Sequence, residues 1–322
     1  MKPLIIKLMA AVLLLLISFC ACGKNDNTND NEPVGASIAR PLTSDYTHQS
    51  EQAQTEPKHA IRNITHDVFN QTINNPRPLN INGFVAAGVV PHHITAASLI
   101  SGFFAGAAAM ADYYENPYDL VIILAPNHFG DFADVVLSYR DWDIDGGVLT
   151  DKDFVNSLMN LRHINTAISH EHLETDHSAS ILIPYIHHYL PNAKVAPVLL
   201  RRSLSLSETF NLFDWLLDWI NNSNQNILLV ASIDFSHFLT SAEAAQKDII
   251  TTNAIQNKDY QLIHSLSDHY LDSPASLIIF LKYLDALGIS PQIILNTEAS
   301  EFLGPGLCET TSYKIIVGAV AP

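Results

Sequence analysis

The sequence has little cysteine and little positive charge, and each shortage excludes something. Only three of 322 residues are cysteine, and Cys20 and Cys22 both lie in the first 22 positions. Cys308 is then the lone thiol of the remaining chain, so no intramolecular disulfide can form there. Lysine and arginine number 17 against 33 acids, a formal net charge of −16. Without residues 1–22, which hold Lys2, Lys7 and no acid, the charge becomes −18. Such a chain lacks the basic surface that replaces counterions on nucleic acid, and it gains little from anionic lipid. Long apolar runs are scarce as well: residues 8–19 form one that is too short for a comfortable membrane span.

What is present begins with that run. Two lysines precede it and Cys20-Ala21-Cys22-Gly23 follow it, giving a charged segment, an apolar segment and a small-residue cleavage site. The pattern resembles a bacterial lipoprotein signal in which Cys22 is lipidated and becomes the mature N-terminus. Phe19 departs from the usual leucine, which keeps Cys20 as an alternative, and an uncleaved anchor is the other reading. The expected location is extracytoplasmic, with the lipid on Cys22 as the membrane contact. Residues 23–58 are rich in Asn, Asp, Thr, Ser, Gln and Glu, too polar to offset their ordering entropy, and read as a flexible tether. His48 and His59 are expected to be solvated.

From residue 59 to 322 strands alternate with helices, and no repeat or linker-like break intervenes. Residues 83–90, 120–124, 135–139, 194–200, 226–233, 291–296 and 313–320 read as strands. Residues 95–114, 152–161, 178–190, 205–220, 242–256 and 275–287 read as helices, with Thr95 and Asp151 as N-caps and Pro184 as a bend or a start. The first helix carries a small-residue face (Ala96, Ala97, Gly102, Ala105, Gly106, Ala109) suited to packing on a sheet. The fold class is α/β, a single domain whose mostly parallel central sheet is flanked by helices.

Three strands end in polar groups: Pro91-His92-His93, Pro126-Asn127-His128 and Asp234-Phe235-Ser236-His237. Open α/β sheets place ligands along the carboxyl edge of their strands. Two imidazoles and a carboxylate with open positions form a known non-haem iron arrangement, and the same donors suit copper, zinc or manganese. The competing explanation, polar residues bonding turn backbone, is weakened by three coincident placements. In the cluster from His170 to His177, Glu171 and Glu174 read as a solvated acidic loop, and His177, before a helix, is a site candidate. Ser273 followed by Pro274 reads as a helix start. His187 and His188 read as surface or packing residues, and His264 and His269 as loop residues.

The segments V-V-P-H-H, L-A-P-N-H, D-H-S followed six residues later by Pro184, and S-I-D-F-S-H resemble the Memo family, called AmmeMemoRadiSam system protein B in bacteria. The resemblance runs from about Gly83 to the terminal I-V-G-A-V. It implies a fold similar to class III extradiol dioxygenases and a metal site of two histidines and a cysteine, matched here by His92 and His128. Asp234 and His237 match the family's neighbouring pair, and His177 its E-H-S histidine. The cysteine is missing: its position falls at or next to Asp272, so Asp272, Ser273 or nothing fills it. The family's Glu and Gln after E-H-S fall at Ser180 and Leu182. The resemblance thus implies metal ligands His92, His128 and Asp272 for an iron or copper ion, and catalytic roles for His237, Asp234 and His177. Three functions stand open: a dioxygenase-like oxidoreductase, a non-catalytic metal- or partner-binding protein beside a radical-SAM protein, and a degenerate member.

Overall fold

Strand β3 (Leu120–Pro126) shows why the central sheet forms: all seven of its residues are buried. Leu120, Ile122 and Leu124 enter one apolar core, while Val121, Ile123 and Ala125 enter another on the opposite face. Side chains alternate across a strand, so an unbroken apolar run needs cover on both faces. Burying each Val, Leu or Ile there stabilises the fold by roughly 1.5–3 kcal/mol.

The computed structural model describes residues 57–130, 132–304 and 306–320. The strands in chain order are β1 (His59–Ala60), β2 (Phe84–Val90), β3, β4 (Val135–Leu137), β5 (Trp142–Asp143), β6 (Thr166–Ile168), β7 (Lys194–Leu200), β8 (Ile227–Ser232), β9 (Gln292–Glu298) and β10 (Ser312–Val320). Eight of them form one sheet in the order β6-β4-β7-β3-β8-β2-β10-β9, and β1 pairs with β5 apart from it. The middle four, β7, β3, β8 and β2, are parallel. Strand β10 runs antiparallel to β2 and β9, and β4 antiparallel to β7. The expected α/β class and mostly parallel sheet hold. β2 and β3 are each parallel to β8, which lies between them.

One face is covered by residues of helices Lys152–Met159, Leu206–Asn222, Ser241–Asn257 and Pro274–Ala286, the other by residues of Ala97–Tyr113 and Ile183–Tyr189. Ser205 opens its helix with a reciprocal capping box, and Asp151 accepts from Phe154 N–H at 2.9 Å as expected of a cap. Thr95 is not a cap. His93 takes that place, its ring accepting from Thr95 N–H ahead of a short 3-10 turn, Ile94–Ala96. The small-residue face of Ala97–Tyr113 also differs from expectation. A Cβ on Gly102 would lie 2.1 Å from the Arg77 carbonyl oxygen, and one on Gly106 2.7 Å from Ile81. Those glycines admit the preceding segment rather than the sheet, which Phe103 meets over Gly88. Among the described residues Ile94–Tyr113 is the one helical stretch long and apolar enough to cross a membrane. Its Leu99, Ile100, Phe103 and Phe104 are fully buried.

His59 is the clearest correction. It is fully buried rather than solvated, its Nε2 lies 2.6 Å from Ser138 Oγ, and Ser138 Oγ lies 2.7 Å from His170 Nδ1. Glu174, expected in a solvated loop, sits in the helix His170–Thr175, bonded to Arg62 at 2.6 Å and 3.6 Å from His59 Nδ1. His264 likewise lies in a helix, Tyr260–Ser265. Burial holds the His59 pKa down to about 4, and the nearby Glu174 offsets only part of that. Unfolding restores an ordinary value near 6.5, so the unfolded chain takes up the proton first and stability falls as pH drops from about 6.5 towards 4. At pH 4.5 we expect His59 to account for about 2–3 kcal/mol of lost stability. Urea midpoints at pH 7 and 4.5 should diverge more for the wild type than for His59→Gln; parallel declines would contradict this.

Candidate metal centre

Strands β2, β3 and β8 are neighbours running the same way, so the residues that follow them meet at one edge. Val90 pairs with Ser232 and Leu124 with Ala231, which sets His92, His128 and Asp234 side by side just beyond the register. The D-H-S segment and the loop before helix Pro274–Ala286 close the same edge with His177 and Asp272.

His92 and His128 are each oriented by a bond to the far ring nitrogen. Ser232 Oγ donates to the Ser178 carbonyl, so it must accept from His92 Nδ1, 3.2 Å away. That leaves His92 Nε2 facing two carboxylates, 3.0 Å from Asp272 and 3.8 Å from Asp234. Asp234 also accepts the His92 backbone N–H at 3.0 Å. His128 donates from Nδ1 to Asp176 at 2.9 Å and from its backbone N–H at 2.8 Å, freeing Nε2 for the centre. A histidine fixed by a carboxylate or hydroxyl behind it is the usual support of a metal ligand.

The charges follow from this geometry. Burial alone would favour neutral imidazole at His92, but Asp234 and Asp272 outweigh it and push the pKa up to about 9. Burial would likewise raise Asp272, and the His92 charge holds it below the ordinary carboxylate range. Asp176 is buried too, yet the bonds from His128 and Ser178 bring it down to about 2. His177 moves the other way: burial, then repulsion from His92 and His128, lowers it to about 4.

The ligand atoms of His92, His128 and His177 lie within 4.8 Å of one another. Proximity is not coordination, however. An imidazole lone pair lies in the ring plane, and one ion can take two rings only where their planes meet. His128 and His177 are stacked 4.7 Å apart and within 7° of parallel, so these two do not share an in-plane ion. His92 crosses them at 69° and 70° and can pair with either. Among the described residues neither ring nitrogen of His177 has a hydrogen-bond partner. The buried Asp272 Oδ1 has none either. An orphaned carboxylate oxygen beside two aligned imidazoles fits a cation, and the N/O donor set fits a first-row transition metal.

The other expected residues divide. Of the matched pair Asp234 and His237, Asp234 reaches His92 but not His237. The ring of the half-buried His237 donates to the Asp268 carbonyl at 3.3 Å. Ser273 bonds Ser276 at 2.6 Å and gives no side-chain cap. Cys308 is exposed. Cys22 lies outside the described residues, as does His48. Sequence reasoning missed Asp176, whose one signal was its place before His177 at a helix start, and Ser232.

The family model for Memo-like protein matches residues 56–302. The chain belongs to the Memo-like family. Its fold is therefore related to that of class III extradiol dioxygenases. Curated relatives of the Memo-like chain include a MEMO1 family protein of Metallosphaera sedula, 25% identical over 194 residues, covering 56% of this chain and 64% of that protein. Another, from Pyrobaculum arsenaticum, is 27% identical over 241 residues, covering 71% of this chain and 82% of the relative. A third, from Methanobrevibacter smithii, is 27% identical over 192 residues, covering 58% and 62%.

Proposed function

We propose that this Memo-like chain binds one iron or copper ion through His92 Nε2, His128 Nε2 and Asp272, the last replacing the cysteine that the family resemblance leads one to expect. The observation that carries the reading is Asp272: buried, 3.0 Å from His92 Nε2, with its second oxygen unpartnered. Bound metal would supply Lewis-acid and redox chemistry with positions open to O₂ or substrate. His92 must lose its shared proton to bind, so affinity should rise with pH towards about 9. His177, uncharged at neutral pH and stacked beside His128, serves as proton acceptor. His237, half-buried and seated on the Asp268 carbonyl, is a second acid or base candidate, while Asp234 holds His92. Phe129 and Phe238, which follow His128 and His237 in the chain, are both more than half exposed.

These parts suit a dioxygenase-like oxidoreductase. A second reading, metal or partner binding without turnover beside a radical-SAM protein, is favoured by Ser180 and Leu182. The Ser180 hydroxyl is spent on the Asp176 carbonyl and Asn63, and Leu182 is apolar, so neither offers a polar group to substrate. Oxygen uptake by the metal-loaded protein with catechol-type substrates separates the two. Turnover that is lost in His177→Ala supports the enzyme; silence with a full site supports the binder.

The leader pattern at residues 1–22 supports a lipid anchor on Cys22 and an extracytoplasmic location. Mass spectrometry of the mature protein should then find an acylated Cys22 at the N-terminus, and an intact Met1 would overturn that assignment.

A further inference from the structure

Asp272 is the ligand with the least local support, because it sits in a loop rather than at a strand end. The loop joins helices Tyr260–Ser265 and Pro274–Ala286. Its inner side is tied to the site: Asp272 N–H donates to the Asp234 carbonyl at 3.2 Å, and Asp234 N–H to Asp272 Oδ2 at 3.2 Å. It is also tied to Arg202, just past the end of β7. Arg202 Nη1 donates to the carbonyls of Leu271 and Asp272, each at 2.7 Å, and Nη2 to that of Leu266 at 2.8 Å. Nη1 also lies 3.3 Å from the Asp268 carboxylate.

We infer that Arg202 is the positioning residue of the metal centre, a claim that rests on Asp272 being a ligand. A guanidinium is planar and presents its donors in a fixed fork, so three carbonyls bound to it are held at fixed separations. The contacts span both ends of the loop and its middle. They fix the backbone of Asp272 itself, and they fix residue 268, whose carbonyl accepts from His237. One cation thus sets both the Asp272 backbone and the residue whose carbonyl seats His237. Lysine carries the same charge on a single ammonium that cannot span these acceptors, so the role depends on shape and not on charge alone.

The test compares full-length wild type, Arg202→Met, Arg202→Lys, Asp272→Ala and the double variant Arg202→Met/Asp272→Ala, using Fe(II) or Co(II) under anaerobic conditions. Arg202→Met is expected to weaken metal binding roughly 10- to 100-fold, the usual effect of removing an outer-shell support, and to change the Co(II) visible spectrum. Arg202→Lys should recover little of this. In the Asp272→Ala background the same change should cost nothing further in affinity, because the residue through which it acts is gone. Arg201→Met is the control: its side chain pairs with Asp134 at 2.6 Å, away from the loop. Wild-type affinity and an unchanged spectrum in Arg202→Met would overturn the inference. So would an equal loss with and without Asp272, which marks a general structural role. Failure of the wild type itself to bind metal would instead overturn the assignment of the site.

Discussion

Replacing His92 with alanine is expected to abolish stoichiometric metal binding and to lower the stability of the metal-free protein by about 3–5 kcal/mol at neutral pH, the usual cost of removing one member of a buried charge cluster. His92 is 1% exposed and holds Asp234 and Asp272, themselves 2% and 5% exposed. Without the imidazolium, two buried carboxylates face each other uncompensated. The deficit should shrink in acid. The variant's two facing carboxylates relieve their repulsion by taking up a proton, while the wild type keeps its His92–Asp272 attraction at pH 4 because the imidazolium holds Asp272 below the ordinary carboxylate range. Chemical denaturation of metal-free protein at pH 7 and pH 4 measures both. A loss near zero at pH 7 would contradict the charge assignment.

The second large effect is expected away from the metal. Lys314 is fully buried, 3.3 Å from Asp248 and 2.7 Å from the Asn296 side-chain oxygen. Asp248 also accepts from Ser236 at 2.9 Å and Ser312 at 2.8 Å. Burial lowers the Lys314 pKa, and Asp248 opposes that shift. Ser236 belongs to the segment that carries Asp234 and His237, so this pair anchors one wall of the site to β10. Lys314→Met leaves Asp248 buried with hydroxyl partners alone and should cost about 3–5 kcal/mol. Lys314→Met/Asp248→Asn removes both charges and keeps an acceptor for the two serines, so it should recover most of the loss. A single variant within 1 kcal/mol of wild type, or a double variant no better than the single, would contradict this account.

Much of this architecture was legible in the sequence because burial writes itself into apolar runs. β7 fell on the residues expected, and β3 and β8 within a few. The placement of His92, His128 and Asp234 at a shared edge followed from reading where those runs stop. Other features carry no local signal. His59 sits in a polar stretch, and its buried partner Ser138 is 79 positions away. The helix His170–Thr175 has six residues and one buried side chain, too little for a visible period. Asp272 drew notice only through a missing family cysteine, and Arg202 had no motif at all. Its role exists in three carbonyls that the fold brings to it.

Asp272 decides the identity of the metal centre. X-ray absorption at the metal edge of the iron- or copper-loaded protein reads the ligand atoms directly. Two imidazoles in a shell of nitrogen and oxygen, with affinity lowered and one oxygen lost in Asp272→Ala, is the predicted result. A sulfur ligand, or a shell unchanged in Asp272→Ala, would contradict it.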